Sequence, residues 1–319
     1  MYYKGVYHLF YQHNPYAATF GDIIIWAHSV SYDLINWIHL NNALEPSEPY
    51  DINSCWSGSA TILPGEKPAI LYTGIDHNKH QVQNLAIPKN LSDPFLREWQ
   101  KHPQNPLMNP PSEVEVDNFR DPSTAWHGKD GKWREKFNPD VTFTGTSKDL
   151  RRILWGWVNE SDSTQDDIQK GWAGLQTIPR QVWLDKSGKR LIQWPIEEVE
   201  NLRDKKISIT GKKLEGGSTL EISGITASQV DVEVLFHLPE LENGEWLDDP
   251  SEVDPQLLCS KQYESRSGKI GPFGLLALAS KDLTEQTAVS SLRHDLDKTT
   301  YGTIFDIDSN LKTISLRTL

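Results

Sequence analysis

Ser59-Ala60-Thr61-Ile62-Leu63-Pro64-Gly65-Glu66-Lys67-Pro68-Ala69-Ile70-Leu71-Tyr72 reads as strand, turn, strand. Two short apolar runs, Ser59 to Leu63 and Ala69 to Tyr72, flank Pro64-Gly65, a pair that ends the first run before the second begins. The same grammar recurs up to about residue 195. Val6 to Gln12, Ile23 to His28, Val141 to Thr144 and Ile153 to Val158 are further predicted strands. Turn residues close them, as at Asn14-Pro15, Lys129-Asp130-Gly131-Lys132 and Lys186-Ser187-Gly188-Lys189. No long stretch keeps a helical period. Many short strands with regular turns predict an all-β fold: a sandwich, a barrel or a propeller.

From Trp194-Pro195 the pattern changes to an acidic connector of helical character, Ile196-Glu197-Glu198-Val199-Glu200-Asn201-Leu202-Arg203. The expected division is a first domain over 1–195, a linker over 196–203 and a second β domain, a sandwich, over 204–319. Leu220 to Ile222, Val230 to Phe236 and Gly274 to Ala279 are its predicted strands, with a last one at Thr313 to Leu316 that leaves the sheet incomplete.

A net charge of −12 with scattered Lys and Arg disfavours nucleic acid, and nothing suggests a membrane span. Cys55 and Cys259 lie far apart and fit no metal spacing, so no metal and no cofactor are expected. In a secreted protein Cys259 would be expected to need a partner. The opening Met1-Tyr2-Tyr3-Lys4-Gly5-Val6-Tyr7 is strand-like and not a signal peptide. Asn90-Leu91-Ser92 and Asn159-Glu160-Ser161 are glycosylation sequons, which matter only on a secretory route.

The chemistry-bearing stretch is Asp117-Asn118-Phe119-Arg120-Asp121-Pro122, a carboxylate beside a guanidinium among aromatics. A permanently charged, planar Arg120 is expected to keep Asp121 ionised and to orient it. Twelve Trp supply flat faces of the kind on which sugar C–H surfaces stack, although indoles also fill cores. An isolated Arg-Asp-Pro is more often a surface turn, so its weight depends on the segments around it.

Those segments are Tyr11-Gln12-His13-Asn14-Pro15, Gly21-Asp22, Trp26-Ala27-His28-Ser29-Val30-Ser31, Asp33-Leu34-Ile35-Asn36-Trp37, Cys55-Trp56-Ser57-Gly58-Ser59-Ala60-Thr61, Leu71-Tyr72-Thr73-Gly74, Trp155-Gly156-Trp157-Val158-Asn159-Glu160-Ser161-Asp162 and Gly171-Trp172-Ala173-Gly174. In this order, with Phe119-Arg120-Asp121-Pro122 among them, they resemble the plant acid invertases and fructan exohydrolases of glycoside hydrolase family 32. The resemblance implies a five-bladed β-propeller, here incomplete, followed by a β-sandwich. It also implies retaining hydrolysis of terminal non-reducing β-D-fructofuranosides in sucrose or fructans, with a small carbohydrate as partner. By the same resemblance Asp121 is the transition-state stabiliser and Arg120 its orienting neighbour, while Gln12, Trp56 and Ser57 contact sugar. Phe20 stands near the mouth, where invertases often place a Trp. Family members of the cell-wall type, to which Asp51 to Gly58 points, are exported glycoproteins.

The chain also departs from the family. The nucleophile belongs to a Trp-Met-Asn-Asp-Pro-Asn-Gly segment upstream of Tyr11-Gln12, and this sequence begins after it. The acid/base Glu belongs to a Trp-Glu-Cys-Pro-Asp-like segment, whereas Trp133-Arg134 runs straight into Glu135-Lys136-Phe137-Asn138-Pro139-Asp140. Further junctions fall at Leu150-Arg151-Arg152-Ile153 and near Val289-Ser290-Ser291. About 195 residues hold roughly four blades at 40–50 residues each, and an unclosed propeller is expected to expose strand edges. Asp22, Glu135, Asp140 and Glu160 are not expected to replace the two missing carboxyls. Three readings follow: a β-fructofuranosidase-type glycosidase, a catalytically inactive carbohydrate-binding or regulatory homologue, or a chain that as written is not a stable protein.

Overall fold

The computed structural model describes residues 1–21, 23–130, 133–134, 143–146, 151–158, 163–214, 218–224, 230–236, 273–277, 279, 282, 287–291 and 313–318. The chain divides into two compact units, Met1–Val199 and Glu200–Leu319.

In the first unit β1 (Tyr2–Tyr3), β2 (Val6–His13), β3 (Ile25–Ser31) and β4 (Trp37–His39) form an antiparallel meander, with every residue of β3 buried. The strand-turn-strand stretch becomes β5 (Ser54–Leu63) and β6 (Lys67–Ile75), joined to β7 (Gln81–Pro88) and β8 (Trp99–Lys101) in a second four-stranded meander. Gly65 sits at φ 80° in the β5–β6 turn, a conformation that costs glycine little. Two-stranded β9 (Trp126–His127) and β10 (Trp133–Arg134) follow. The next elements are β11 (Phe143–Thr146), β12 (Arg152–Trp155), β13 (Trp157–Val158), a helix α1 (Thr164–Lys170), β14 (Leu175–Gln176), β15 (Arg180–Leu184) and β16 (Leu191–Pro195). Strands β11, β12, β15 and β16 make a third four-stranded sheet, and β13 pairs with β14. A buried cluster that includes Tyr3, Trp26, Leu44, Cys55, Ile70, Tyr72, Leu96 and Trp99 joins the first two sheets.

A 3-10 helix, Glu197–Leu202, stands where the acidic connector was expected. In the second unit β17 (Lys206–Thr210) and β18 (Val230–Val234) flank β21 (Thr313–Thr318), and β19 (Phe273–Ala277) pairs with β20 (Thr287–Ser291).

Several expectations change. Leu220 to Ile222 is irregular rather than a strand, its residues finding no partner strand among those described. Ile153 to Val158 is two strands interrupted at Gly156, where the chain passes from one sheet to another. A Cβ at Gly156 would press on the Thr177 side chain, whose hydroxyl already accepts the Gly156 N–H at 3.1 Å. The predicted strand at Ile23 starts at Ile25, and Val141 lies outside the described residues, the strand there being Phe143–Thr146. Helix α1 was not foreseen. It is short and buries no residue, so it carries no apolar period, and its ends are set by capping instead. Ser163 and Asp166 form a reciprocal capping box, and Gly171 closes the helix in the left-handed region at φ 86°.

Candidate functional site

Asp121 lies on the loop after β8, between Phe119, which is buried, and Pro122. Its backbone is left-handed, with φ 60°. For a non-glycine residue that region costs about 1–2 kcal/mol, Asp tolerating it better than most. A following proline also biases its predecessor toward extended backbone.

Polar side chains of the second sheet hold the segment there. The Asp121 N–H donates to Thr73 Oγ1 on β6 at 3.0 Å, and the Thr73 hydroxyl donates to Gln83 Oε1 on β7 at 3.3 Å. Gln83 Nε2 donates to the Phe119 carbonyl, while Gln81 Oε1 accepts the Phe119 N–H at 2.9 Å. Ser59 Oγ on β5 donates to the Pro122 carbonyl at 2.7 Å, and Thr61 Oγ1 accepts the Ala125 N–H at 3.1 Å. Side chains of the sheet thereby satisfy backbone groups of this part of the loop. Thr73, Gln81 and Gln83 are buried.

Arg120 does not hold Asp121 in the close pair expected of it, and burial outweighs its charge. The Arg120 Nε to Asp121 Oδ2 separation is 3.6 Å, too long for a hydrogen bond, and the guanidinium donates instead to the Asp117 carbonyl at 2.8 Å and Asn118 Oδ1 at 3.1 Å. With 9% of its side chain exposed, Asp121 loses more to dehydration than Arg120 returns, and its pKa rises to about 6.

The sugar-contact candidates lie on the two neighbouring meanders. Gln12, exposed at the end of β2, reaches the Cys55 carbonyl with Nε2 at 3.5 Å, and Trp26 opposite it donates its indole N–H to the Trp56 carbonyl at 2.8 Å. Trp56 pairs with Thr73 across β5 and β6, so Gln12, Trp56, Thr73 and Asp121 form one continuous set of contacts. Trp56 is half-buried, and its own indole N–H is buried without a partner among the described residues. Ser57 is the extra residue of a bulge between Trp56 and Gly58, which swings this segment out of the regular pleat. Phe20 stands 75% exposed on the β2–β3 loop. Cys55 is buried and reduced, its thiol pKa pushed up chiefly by burial. Asp22, Glu135, Asp140, Asn159, Glu160 and Cys259 lie outside the described residues. No group of metal-binding side chains occurs among the described residues.

Sequence reasoning singled out Thr73 only within a motif and missed Gln81 and Gln83. The signal was Gln81-Val82-Gln83: alternation puts both amides on one strand face, and a buried amide needs a partner.

The N-terminal domain of glycosyl hydrolases family 32 matches residues 1–139 and 135–195. An insoluble beta-fructofuranosidase isoenzyme of Arabidopsis thaliana is 41% identical over 459 residues, spanning 100% of this chain and 77% of the relative. The fructan 6-exohydrolase of Beta vulgaris is 40% identical over 453 residues, spanning 100% and 75% respectively. The crystal structure of fructan 1-exohydrolase IIa from Cichorium intybus, 41% identical, superimposes with a TM-score of 0.83 over 99% of this chain and 83% of that one. The fold is the β-propeller plus β-sandwich of these glycosyl hydrolase family 32 structures.

Proposed function

The chain belongs to glycosyl hydrolase family 32 and is by kinship a glycosidase of the β-fructofuranosidase type; we propose that Asp121 serves a terminal β-D-fructofuranosyl unit of sucrose or a fructan. In this reading Asp121 accepts hydrogen bonds from sugar hydroxyls and stabilises the cation-like transition state, with Arg120 beside it. Gln12 and Ser57 offer hydroxyl partners, Trp56 offers a stacking face, and Phe20 borders what lies beyond the fructosyl unit. The observation that carries the reading is the buried Asp121, set in a left-handed conformation in contact with the strands that bear Trp56 and Thr73. A carboxylate dehydrated before substrate arrives gives each hydrogen bond to it more weight than it has in water.

Retaining hydrolysis uses a nucleophile and an acid/base in addition to a stabiliser. A second reading, fructoside binding without turnover, is favoured by one specific observation. Alignments to relatives run over 453–459 residues although this chain has 319, and the family match falls into two pieces that meet at 135–139. Fructose release from sucrose, inulin and levan separates the two readings. Turnover that Asp121→Ala reduces by about 100-fold or more supports catalysis. Binding without turnover, abolished by the same substitution, supports the second reading, and binding indifferent to Asp121 removes both.

We assign the protein to the cell wall, in keeping with relatives named as cell-wall or insoluble isoenzymes. Asn90 is exposed in a turn where its Oδ1 accepts the Ser92 N–H at 2.9 Å, a geometry open to glycosylation. A mass loss on endoglycosidase treatment that Asn90→Gln abolishes tests it.

A further inference from the structure

We propose that Thr73 and Gln83 are positioning residues for Asp121, a directed relay that holds its backbone in the left-handed state on which the placement of its carboxylate depends. The inference rests on the role of Asp121 proposed above and extends it to two residues that touch no sugar.

The relay has a defined sense. Gln83 is fixed at one end because its Nε2 donates to the Phe119 carbonyl, which leaves its Oε1 facing Thr73. The Thr73 hydroxyl spends its single proton on that oxygen at 3.3 Å. A lone pair is therefore left toward the Asp121 N–H, which it receives at 3.0 Å. Gln81 pins the other side of Phe119 by accepting its N–H, so the residue that leads into Arg120-Asp121 is held at both backbone groups. Thr73, Gln81 and Gln83 are all buried, where water does not compete for these bonds.

Such a hold is needed because the local sequence opposes the conformation. Asp121 is not glycine, it precedes proline, and its φ is 60°. Its side-chain partner does not supply the constraint, the Arg120 pair being 3.6 Å apart. Without the Thr73 acceptor, the backbone is free to leave the left-handed region, and the carboxyl leaves its dehydrated position with it.

The test reads the Asp121 carboxyl directly by carbon-13 NMR titration of the full chain, alongside calorimetric titration with sucrose and 1-kestose. Thr73→Val, which keeps shape and removes the hydroxyl, is expected to lower the Asp121 midpoint from about 6 by about one unit or more, toward the ordinary carboxylate range. Sugar affinity is expected to fall about tenfold, the loss of roughly one hydrogen bond's positioning. Thr73→Ser, which restores the acceptor, is expected to restore both readings. Gln83→Met is expected to move them in the same direction as Thr73→Val, and it carries the test if Thr73→Val does not fold. A lowered thermal midpoint with an unmoved Asp121 titration would mean a merely structural hydrogen bond and overturn the proposal. If Asp121→Ala leaves sugar affinity unchanged, the sugar role of Asp121 fails, and the titration still decides the relay.

Discussion

Asp121, proposed above to meet the sugar, opposes stability when ionised. Its folded pKa of about 6 lies above the ordinary carboxylate value, so between roughly pH 4 and 6 the folded chain binds more protons than the unfolded one. Stability therefore falls as pH rises through that window, and the ionised form at neutral pH is the costly one. Asp121→Asn, which keeps size and removes the charge, is expected to raise stability by about 1–2 kcal/mol at pH 7.5, after discounting for solvent reaching the site. The gain should vanish near pH 4, where both side chains are neutral. Urea denaturation at the two pH values checks it, and an Asn variant less stable at pH 7.5 would contradict the burial argument. Gly58 opposes change for a steric reason. It sits beside the bulge that carries Ser57, and a Cβ there would overlap the Leu71 carbonyl oxygen and crowd the Tyr72 Cα. Backbone on the paired strand cannot step aside cheaply, so Gly58→Ala should cost about 3 kcal/mol or more. A thermal midpoint close to that of the wild type would show the bulge to be looser than described.

Strands β2 and β3 share an element-level device in His8 and His28, whose Nδ1 and Nε2 atoms lie 3.0 Å apart in the buried face of the first sheet. One ring must donate and the other accept, so the pair is neutral when folded, and His28 stacks on Phe10 at 4.4 Å between ring centroids. Dehydration lowers both pKa values to about 3, with repulsion from His8 adding to the fall at His28 and Asp93 opposing it at both. These groups stabilise fully above the unfolded value near 6.5, and that contribution is lost progressively as pH falls toward 3. Replacing both by glutamine, which pairs without titrating, should flatten the loss of urea midpoint between pH 7 and 5. Equal slopes for wild type and variant would place the acid sensitivity elsewhere. Elements of this kind were partly legible in the sequence. Runs such as Val6 to Gln12 and Ala69 to Tyr72 announced strands because β-branched and aromatic residues end at Gly, Pro or Asn. Gln81–Pro88 was overlooked because its core-facing positions include Gln81, Gln83 and Asn84, amides that composition alone places on a surface. The site follows the same rule. Arg120-Asp121-Pro122 was visible as a motif, but the segment's backbone is held by partners 38–48 residues away in sequence, and no local pattern reports those contacts.

At the scale of the first unit, the third four-stranded sheet returns to the first. Trp155 on β12 meets Trp37 on β4 edge to face, with centroids 5.7 Å apart and planes at 78°. Ile153, 3% exposed, shares a small cavity with Met1, Tyr7, His8, Leu34 and Trp37. The first and third sheets thus meet at this seam, while Trp183, Leu184, Leu191 and Trp194 on β15 and β16 stay exposed. Contact between sheets far apart in sequence couples them, because either sheet loses a packing partner if the other opens. A double-mutant cycle on Trp37→Ala and Trp155→Ala should then show a coupling of about 1 kcal/mol in urea unfolding, beyond the larger cost of each truncation. Ile153→Ala should cost about 2–4 kcal/mol through the cavity it leaves. Far-UV circular dichroism and tryptophan fluorescence should keep coincident transitions in the wild type and lose coincidence in the double variant, as the first sheet melts without the third. Strict additivity of the two Trp truncations, with transitions still coincident, would mean that the seam is a passive contact.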